Sequence, residues 1–197
     1  TTDGHHVYHK LVDNWKINPD KIKIVNFGID VAIYREMEKL RMPNPHVQFR
    51  TGPDEKVYDP MTSMKAMNLV QQQIPDATWE FIQDVPQDQM PEFLNRAWVY
   101  VSTARSDAGI ASTTAEAMAC GALILASDKE PMHEICADAA IYFDPMDPLK
   151  ISDAILRAIM DQEVLSALRG KSLERAKNFS REASTKQTLK VFESLSK

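Results

Sequence analysis

Glu116 is the side chain in this sequence best placed to act on a polar ligand. It follows Ser112 and Thr113 by four and three residues, and ahead of them runs a loop of mostly small and polar residues, Ser102-Thr-Ala-Arg-Ser-Asp107-Ala-Gly109-Ile110-Ala111. The apolar run 98–101 before the loop reads as a strand, and the Ala-rich stretch 113–120, unbroken until Gly121, reads as a helix. In an open parallel sheet, ligands bind outside the carboxyl ends of the strands, and the free N–H groups at a helix start suit a phosphate or another anion. A carboxylate in the first turn of such a helix could accept two hydrogen bonds from a diol such as a ribose. The same spacing also fits a capping box, with Ser112 or Thr113 as the cap and Glu116 bonding back to the helix start.

Other residue types with chemical potential have simpler readings. His5, His6 and His9 include a pair four apart, but a solvated helix face accounts for them better than a metal site, which needs three or four converging ligands. Cys120 and Cys136 form neither a disulfide framework nor a metal spacing and read as small buried apolar residues. No Asp-x-Asp stands at a strand end. The nucleophile elbow, the dinucleotide fingerprint and the P-loop pattern are all missing from the sequence.

The elements that must position these groups follow from periodicity. Residues 5–16 carry apolar positions at helical spacing, 22–25 reads as a strand and 26–30 as a turn. Residues 31–45 are charged and broken by Pro43 and Pro45. A strand over 46–51 leads through Gly52, Asp54 and Lys56 to a helix at 61–73. A turn and strand at 74–82, a short helix at 86–96 and the strand 98–101 come next. After Gly121, the apolar run 123–126 reads as a strand buried on both faces. A short helix near His133, a last strand at 140–143 and amphipathic helices at 149–160, 163–169 and 181–195 complete the chain. Strands alternating with helices predict an α/β three-layer, Rossmann-like parallel sheet.

Composition agrees. With 197 residues, 44% hydrophobic and 26% charged, the chain can bury one sizeable core. A net charge of -5 and the lack of a Lys/Arg stripe argue against nucleic acid as a partner. With no apolar run of about 18 residues and no signal peptide, a cytoplasmic location is the expectation.

Several motifs in order resemble the C-terminal, donor-binding domain of retaining glycosyltransferases of the GT-B fold, the large family 4 or group 1 enzymes. Residues 116–127, Glu-Ala-Met-Ala-Cys-Gly-Ala-Leu-Ile-Leu-Ala-Ser, are similar to the family's Glu-Ala-Met-Ala-x-Gly-x-Pro-Val-Ile-Ala-Ser. His133-Glu134-Ile135, then Asp138-Ala-Ala-Ile-Tyr-Phe-Asp-Pro, Arg175-Ala-x-x-Phe-Ser180 and, upstream, Asn26-Phe-Gly28-Ile-Asp30 continue the likeness. The resemblance implies transfer of a sugar from a nucleotide-diphosphate donor to an acceptor hydroxyl with retained anomeric configuration. No cofactor or metal is implied beyond that donor, because cations and the helix dipole would balance the diphosphate charge.

By the same resemblance, Arg50 and Lys56 would contact the diphosphate, although Phe49 and Val57 stand where the family has glycines. In the other reading, Lys56 is a solvated loop residue and Arg50 pairs with a local acid such as Asp54. The phosphates would rest on the amides of Gly109, Ile110, Ala111, Ser112 and Thr113, and the ribose on Glu116. The family's first acid, which touches the sugar, falls at Ala108 when counted back eight from Glu116. Counted forward from the strand it falls at Asp107, within Ser106-Asp107-Ala108-Gly109. The family usually places a glycine-rich loop and a further helix and strand after the position of Ile82; here Gln83-Asp-Val-Pro follows almost directly.

Residues 1–18 are expected to be the tail of a mostly absent acceptor-binding domain, 19–180 the donor domain, and 181–197 a helix returning toward that other domain. The acceptor, a carbohydrate, a lipid-linked group or another hydroxyl compound, would bind the missing half, which could also bring peripheral membrane association. These residues alone are expected to transfer little. Two further functions fit the same pattern: a non-catalytic sugar-nucleotide-binding or assembly module, and a sugar-nucleotide epimerase.

Overall fold

The computed structural model describes residues 1–52, 54, 57–105 and 112–195. Strands β1 (His46–Arg50), β2 (Thr78–Ile82), β3 (Val99–Ser102), β4 (Leu123–Ser127) and β5 (Ala140–Phe143) form one parallel sheet in the order β2-β1-β3-β4-β5. Helices α1 (His5–Asp13), α2 (Pro60–Gln73), α3 (Met90–Asn95), α4 (Ser112–Ala119), α5 (Glu130–Cys136), α6 (Pro148–Met160), α7 (Gln162–Ala176) and α8 (Arg181–Leu195) surround it. The expected three-layer α/β architecture is the one the chain adopts.

Alternation along the strands divides the core in two. Val47, Phe49, Val99, Val101, Leu123 and Leu125 pack with Ala66, Met67 and Val70 of α2 and with Ile151 and Ile155 of α6. Tyr100, Ile124 and Ala126 point the other way, into a cluster with Leu94 of α3, Met118 of α4 and Met132 of α5. Strands covered on both faces explain why β3 and β4 read as continuous apolar runs. The two helices on the first face start with the same device. Asp59 accepts a hydrogen bond from the Met61 amide (2.9 Å) ahead of Pro60, and Asp147 from the Leu149 amide (2.8 Å) ahead of Pro148.

Departures from the sequence expectation have local causes. Residues 22–25 make no ladder; Ile24 forms a single bridge with Thr2, with no further strand alongside. The helix expected over 86–96 is confined to Met90–Asn95. Residues 86–89 are a turn, and Pro91, which lacks an amide hydrogen, sits at the helix start where none is needed. The helix expected to stop before Gly170 runs on to Ala176, since Gly170 has open space around it and a lone glycine is tolerated in a helix.

The strand order fixes where a ligand can enter. The chain leaves β1 for β2 on one side and returns past β1 to β3 on the other, so the connections diverge between β1 and β3 and leave a crevice outside their carboxyl ends. Arg50 pairs with Ser102 in the last register position of that ladder. The helix that follows β3, α4, closes in a Schellman turn. The Ala122 amide donates to the Ala117 carbonyl (3.1 Å) and the Gly121 amide to the Met118 carbonyl (3.0 Å), with Gly121 at φ 73°. A Cβ there would lie 2.6 Å from Glu36 Oε1.

Gly121→Ala is therefore expected to destabilise the fold by about 1–2 kcal/mol through left-handed strain alone, and further if Glu36 cannot move. The drop should appear as a lower urea midpoint with an unchanged slope. An unchanged midpoint would contradict this reading of the turn.

Candidate functional site

Arg50 ends β1 and lies opposite Ser102, on the β1 face that it shares with the fully buried Gln48, away from the α2 side. Its guanidinium stands 5.7 Å from the centre of the Tyr58 ring. Gly52 lets that ring come close, because a Cβ there would sit 3.0 Å from the ring carbons. Burial alone would make Arg50 easier to deprotonate, but the oxygens of Tyr100 and Tyr58 and the carboxylate of Glu116 outweigh it and hold the cation more firmly than usual. Among the described residues no carboxylate lies within ion-pair distance of Arg50.

Glu116 stands on α4, half-buried. The helix begins at Ser112, so Thr113 is its second residue rather than its cap. The phenol of Tyr34 lies near the carboxyl group and favours its ionised form. Burial raises the carboxyl pKa, opposed by that phenol and by the charge of Arg50. Tyr34 is pushed up to about 12 by burial and by Glu116, so it stays a donor. Its oxygen in turn accepts a hydrogen bond from Gln87 Nε2 at 2.6 Å. Deeper in the helix, Thr114 Oγ1 and the buried Tyr100 hydroxyl share a hydrogen bond of 3.2 Å that ties α4 to β3.

A cavity of about 450 Å³ opens beside Arg50, lined also by Thr51, Gly52, Ile82, Gln83 and Asp84. The short segment after Ile82 thus forms a wall at the carboxyl ends of β1 and β2. The loops on either side of the crevice are tied to each other. Arg105 makes an ion pair with Asp59, donates to Thr62 Oγ1 at 3.2 Å and gives its amide hydrogen to the Val57 carbonyl at 2.8 Å. Thr62 Oγ1 also donates to Asp59 Oδ2 at 2.7 Å. The start of α2 and the end of β3 are thereby held together.

Of the residues singled out from sequence, Arg50 at the end of β1 and Glu116 on α4 act on each other electrostatically, and Ser112 and Thr113 stand at the start of the helix that carries Glu116. Lys56, Asp107, Gly109, Ile110 and Ala111 lie outside the described residues. Sequence reasoning missed Tyr34, Tyr58, Gln87 and Arg105. The one available signal was Tyr34, the sole aromatic in an otherwise charged and Pro-broken segment. Two of the α1 histidines meet Glu134. Glu134 of α5 accepts hydrogen bonds from the His5 amide (2.6 Å) and the His6 amide (3.3 Å) and contacts His6 Nδ1 (3.1 Å), so it caps α1. Burial raises the Glu134 pKa, but these contacts outweigh it and leave it lowered.

A half-buried cation without an acid partner among the described residues, a half-buried carboxylate and a helix start suit a ligand that carries both anionic oxygens and hydroxyl donors. Comparison with known proteins gives that arrangement a family. The sequence model described as glycosyl transferases group 1 matches residues 63–185. A curated relative, the O-antigen chain mannosyltransferase B of Escherichia coli, is 30% identical over 111 residues, which is 56% of this chain and 29% of that protein. Among solved structures, the C-terminal domain of the group 1 glycosyl transferase LpcC from Francisella tularensis is matched with a TM-score of 0.64 at 13% identity, over 77% of this chain and 97% of that one. The Anabaena protein Alr3699/HepE, solved in complex with UDP and glucose, is matched with a TM-score of 0.77 at 12% identity, over 99% of this chain and 62% of that one. The chain thus spans under a third of the curated relative and less than two thirds of the Anabaena protein. The family match takes in more than half of the chain, and the protein belongs to the glycosyl transferases group 1 family, built on the C-terminal half of the GT-B fold.

Proposed function

We propose that this chain is the donor-binding half of a retaining glycosyltransferase that takes a sugar from a nucleoside diphosphate and passes it to an acceptor hydroxyl. The observation that carries the reading is Arg50, a guanidinium held at the β1/β3 crevice without an acid partner among the described residues and facing the carboxylate of Glu116. In the proposed complex the diphosphate lies against Arg50, Lys56 and the amides of residues 109–113. The ribose hydroxyls donate to Glu116, and the sugar meets Asp107. The likeness to a protein that holds UDP and glucose and to a mannosyltransferase supports a nucleotide-sugar donor.

The chemistry asked of these groups is modest. The bond from the sugar's anomeric carbon to the diphosphate oxygen breaks, the acceptor oxygen bonds to that carbon, and the proton it carried is released. Negative charge grows on the departing diphosphate, and a preorganised cation in a site shielded from water stabilises it most as the bond breaks. Arg50, Lys56 and the helix start would supply this without a divalent ion. Residues 19–180 would form the donor domain. Residues 1–18 and the α8 segment would face an acceptor-binding half, where the exposed Leu189 and Leu195 of α8 would be covered.

Titration of the chain with UDP, GDP, ADP and dTDP is expected to find one nucleotide that binds with no need for magnesium. Arg50→Ala and Glu116→Ala should each weaken it about 10- to 100-fold, the usual cost of losing a hydrogen bond to a charged group. No binding by any nucleotide, or binding indifferent to both substitutions, would contradict the proposal.

A pH dependence follows from the environment of Glu116. It accepts from the ribose most strongly when ionised, and burial raises its pKa, so affinity should fall as the pH is lowered through a midpoint above the ordinary glutamate value of about 4.3. Tyr34→Phe removes a hydroxyl that favours the ionised form and should move that midpoint higher. Subtracting the Glu116→Gln curve cancels the titration of the nucleotide itself. A midpoint that Tyr34→Phe leaves in place would show that the phenol does not orient this carboxylate.

A further inference from the structure

At the opposite end of the sheet from the crevice, Trp98 just before β3 and Leu123 at the start of β4 form the floor of a second cavity, lined also by Leu165 of α7. Its volume is about 150 Å³. An apolar cavity of about that size accepts a benzene ring in other proteins. Two guanidinium groups, those of Arg41 and Arg169, share its wall. Arg41 is fixed in place by backbone carbonyls, donating through Nη1 to Ala97 (3.0 Å) and through Nη2 to Gly121 (3.1 Å). Its Nε is buried and has no partner among the described residues.

One carboxylate serves both arginines. Glu36 is ion-paired with Arg169 and lies 3.6 Å from Arg41 Nη2, while Glu38 acts on Arg41 from farther away. Burial, and next the charge of Arg169, lower the proton affinity of Arg41 in spite of both acids. The wall of the cavity therefore sets two guanidinium groups, with one carboxylate in contact with both, beside an apolar floor, an arrangement that suits an anion which also removes apolar surface from water.

We propose that this cavity binds a small organic monocarboxylate with a ring-sized apolar body. Its carboxylate would accept hydrogen bonds from Arg169 and Arg41, and its body would lie on Trp98, Leu123 and Leu165. The proposal is independent of what binds at the β1/β3 crevice. It differs in ligand chemistry too, because a floor of Trp98, Leu123 and Leu165 offers a diphosphate or a sugar few hydrogen-bond partners.

The test is an amide and indole NMR titration of the chain with benzoate. The reporters are the Trp98 indole N–H, which donates to the Met42 carbonyl at 2.7 Å, and the Gly121 amide. The expected result is saturable shifts at both reporters, with a dissociation constant on the order of 1 mM or tighter for a ligand of this size. Benzyl alcohol, which has the ring without the charge, and inorganic phosphate, which has charge without the ring, should each bind at least about tenfold more weakly. Arg169→Gln, checked for folding by its own spectrum, should weaken benzoate by a similar factor. The proposal is overturned if benzoate gives no saturable shift at these reporters, or if either control ligand matches it in the unaltered chain. That comparison decides the matter even if the variant does not fold.

Discussion

Arg50 keeps a cation half-buried where two parallel strands end, with no acid within ion-pair distance among the described residues, and much of the surrounding structure serves to make that tolerable. Removing a guanidinium from water without a paired carboxylate costs several kcal/mol unless other groups replace the lost solvation. Here the replacement is distributed. The face of Tyr58 lies against the guanidinium, the phenol of Tyr100 points from the neighbouring strand, and Glu116 attracts it from across the crevice. None of these neutralises the charge. The cation stays firmly protonated and available, which is the state an anionic ligand needs on arrival.

Arg105 shows the contrast. It too follows a strand at the same crevice, yet it is committed to Asp59 and Thr62 and fastens one loop to the start of α2. One arginine is used up holding the loops in position, and the other is kept in reserve between them. The strand order explains why both are there. Only between β1 and β3 do the connections diverge, so loops from opposite sides of the sheet must be tied together and can still leave space for a ligand.

The architecture was legible in the sequence wherever local pattern and tertiary context agree. The doubly buried strands β3 and β4 are continuous apolar runs, Asp-Pro pairs start α2 and α6, and Gly121 stops α4. It was illegible where the partner is distant. The β-branched run 22–25 has the composition of a strand but no ladder to join. Gly170 has the look of a helix stop but meets no steric demand. In the site, Glu116 stands at a helix-start position that spacing reveals, and Arg50 at a strand end whose role only the resemblance implied. Tyr34 is invisible to spacing, because 82 residues of chain separate it from the carboxylate it acts on. Whether an arginine pairs with an acid among the described residues is likewise a property of the fold: nothing local distinguishes Arg105 from Arg50.

The account stands on one claim, that a nucleoside diphosphate binds outside the carboxyl ends of β1 and β3. The most direct measurement is hydrogen exchange of the chain, by mass spectrometry, with and without saturating nucleoside diphosphate. The account predicts slowed exchange in peptides that span the end of β1 through the start of α2 and the end of β3 through α4, with the amino ends of the strands unchanged. Slowed exchange confined to other segments, or none at saturation, would contradict it.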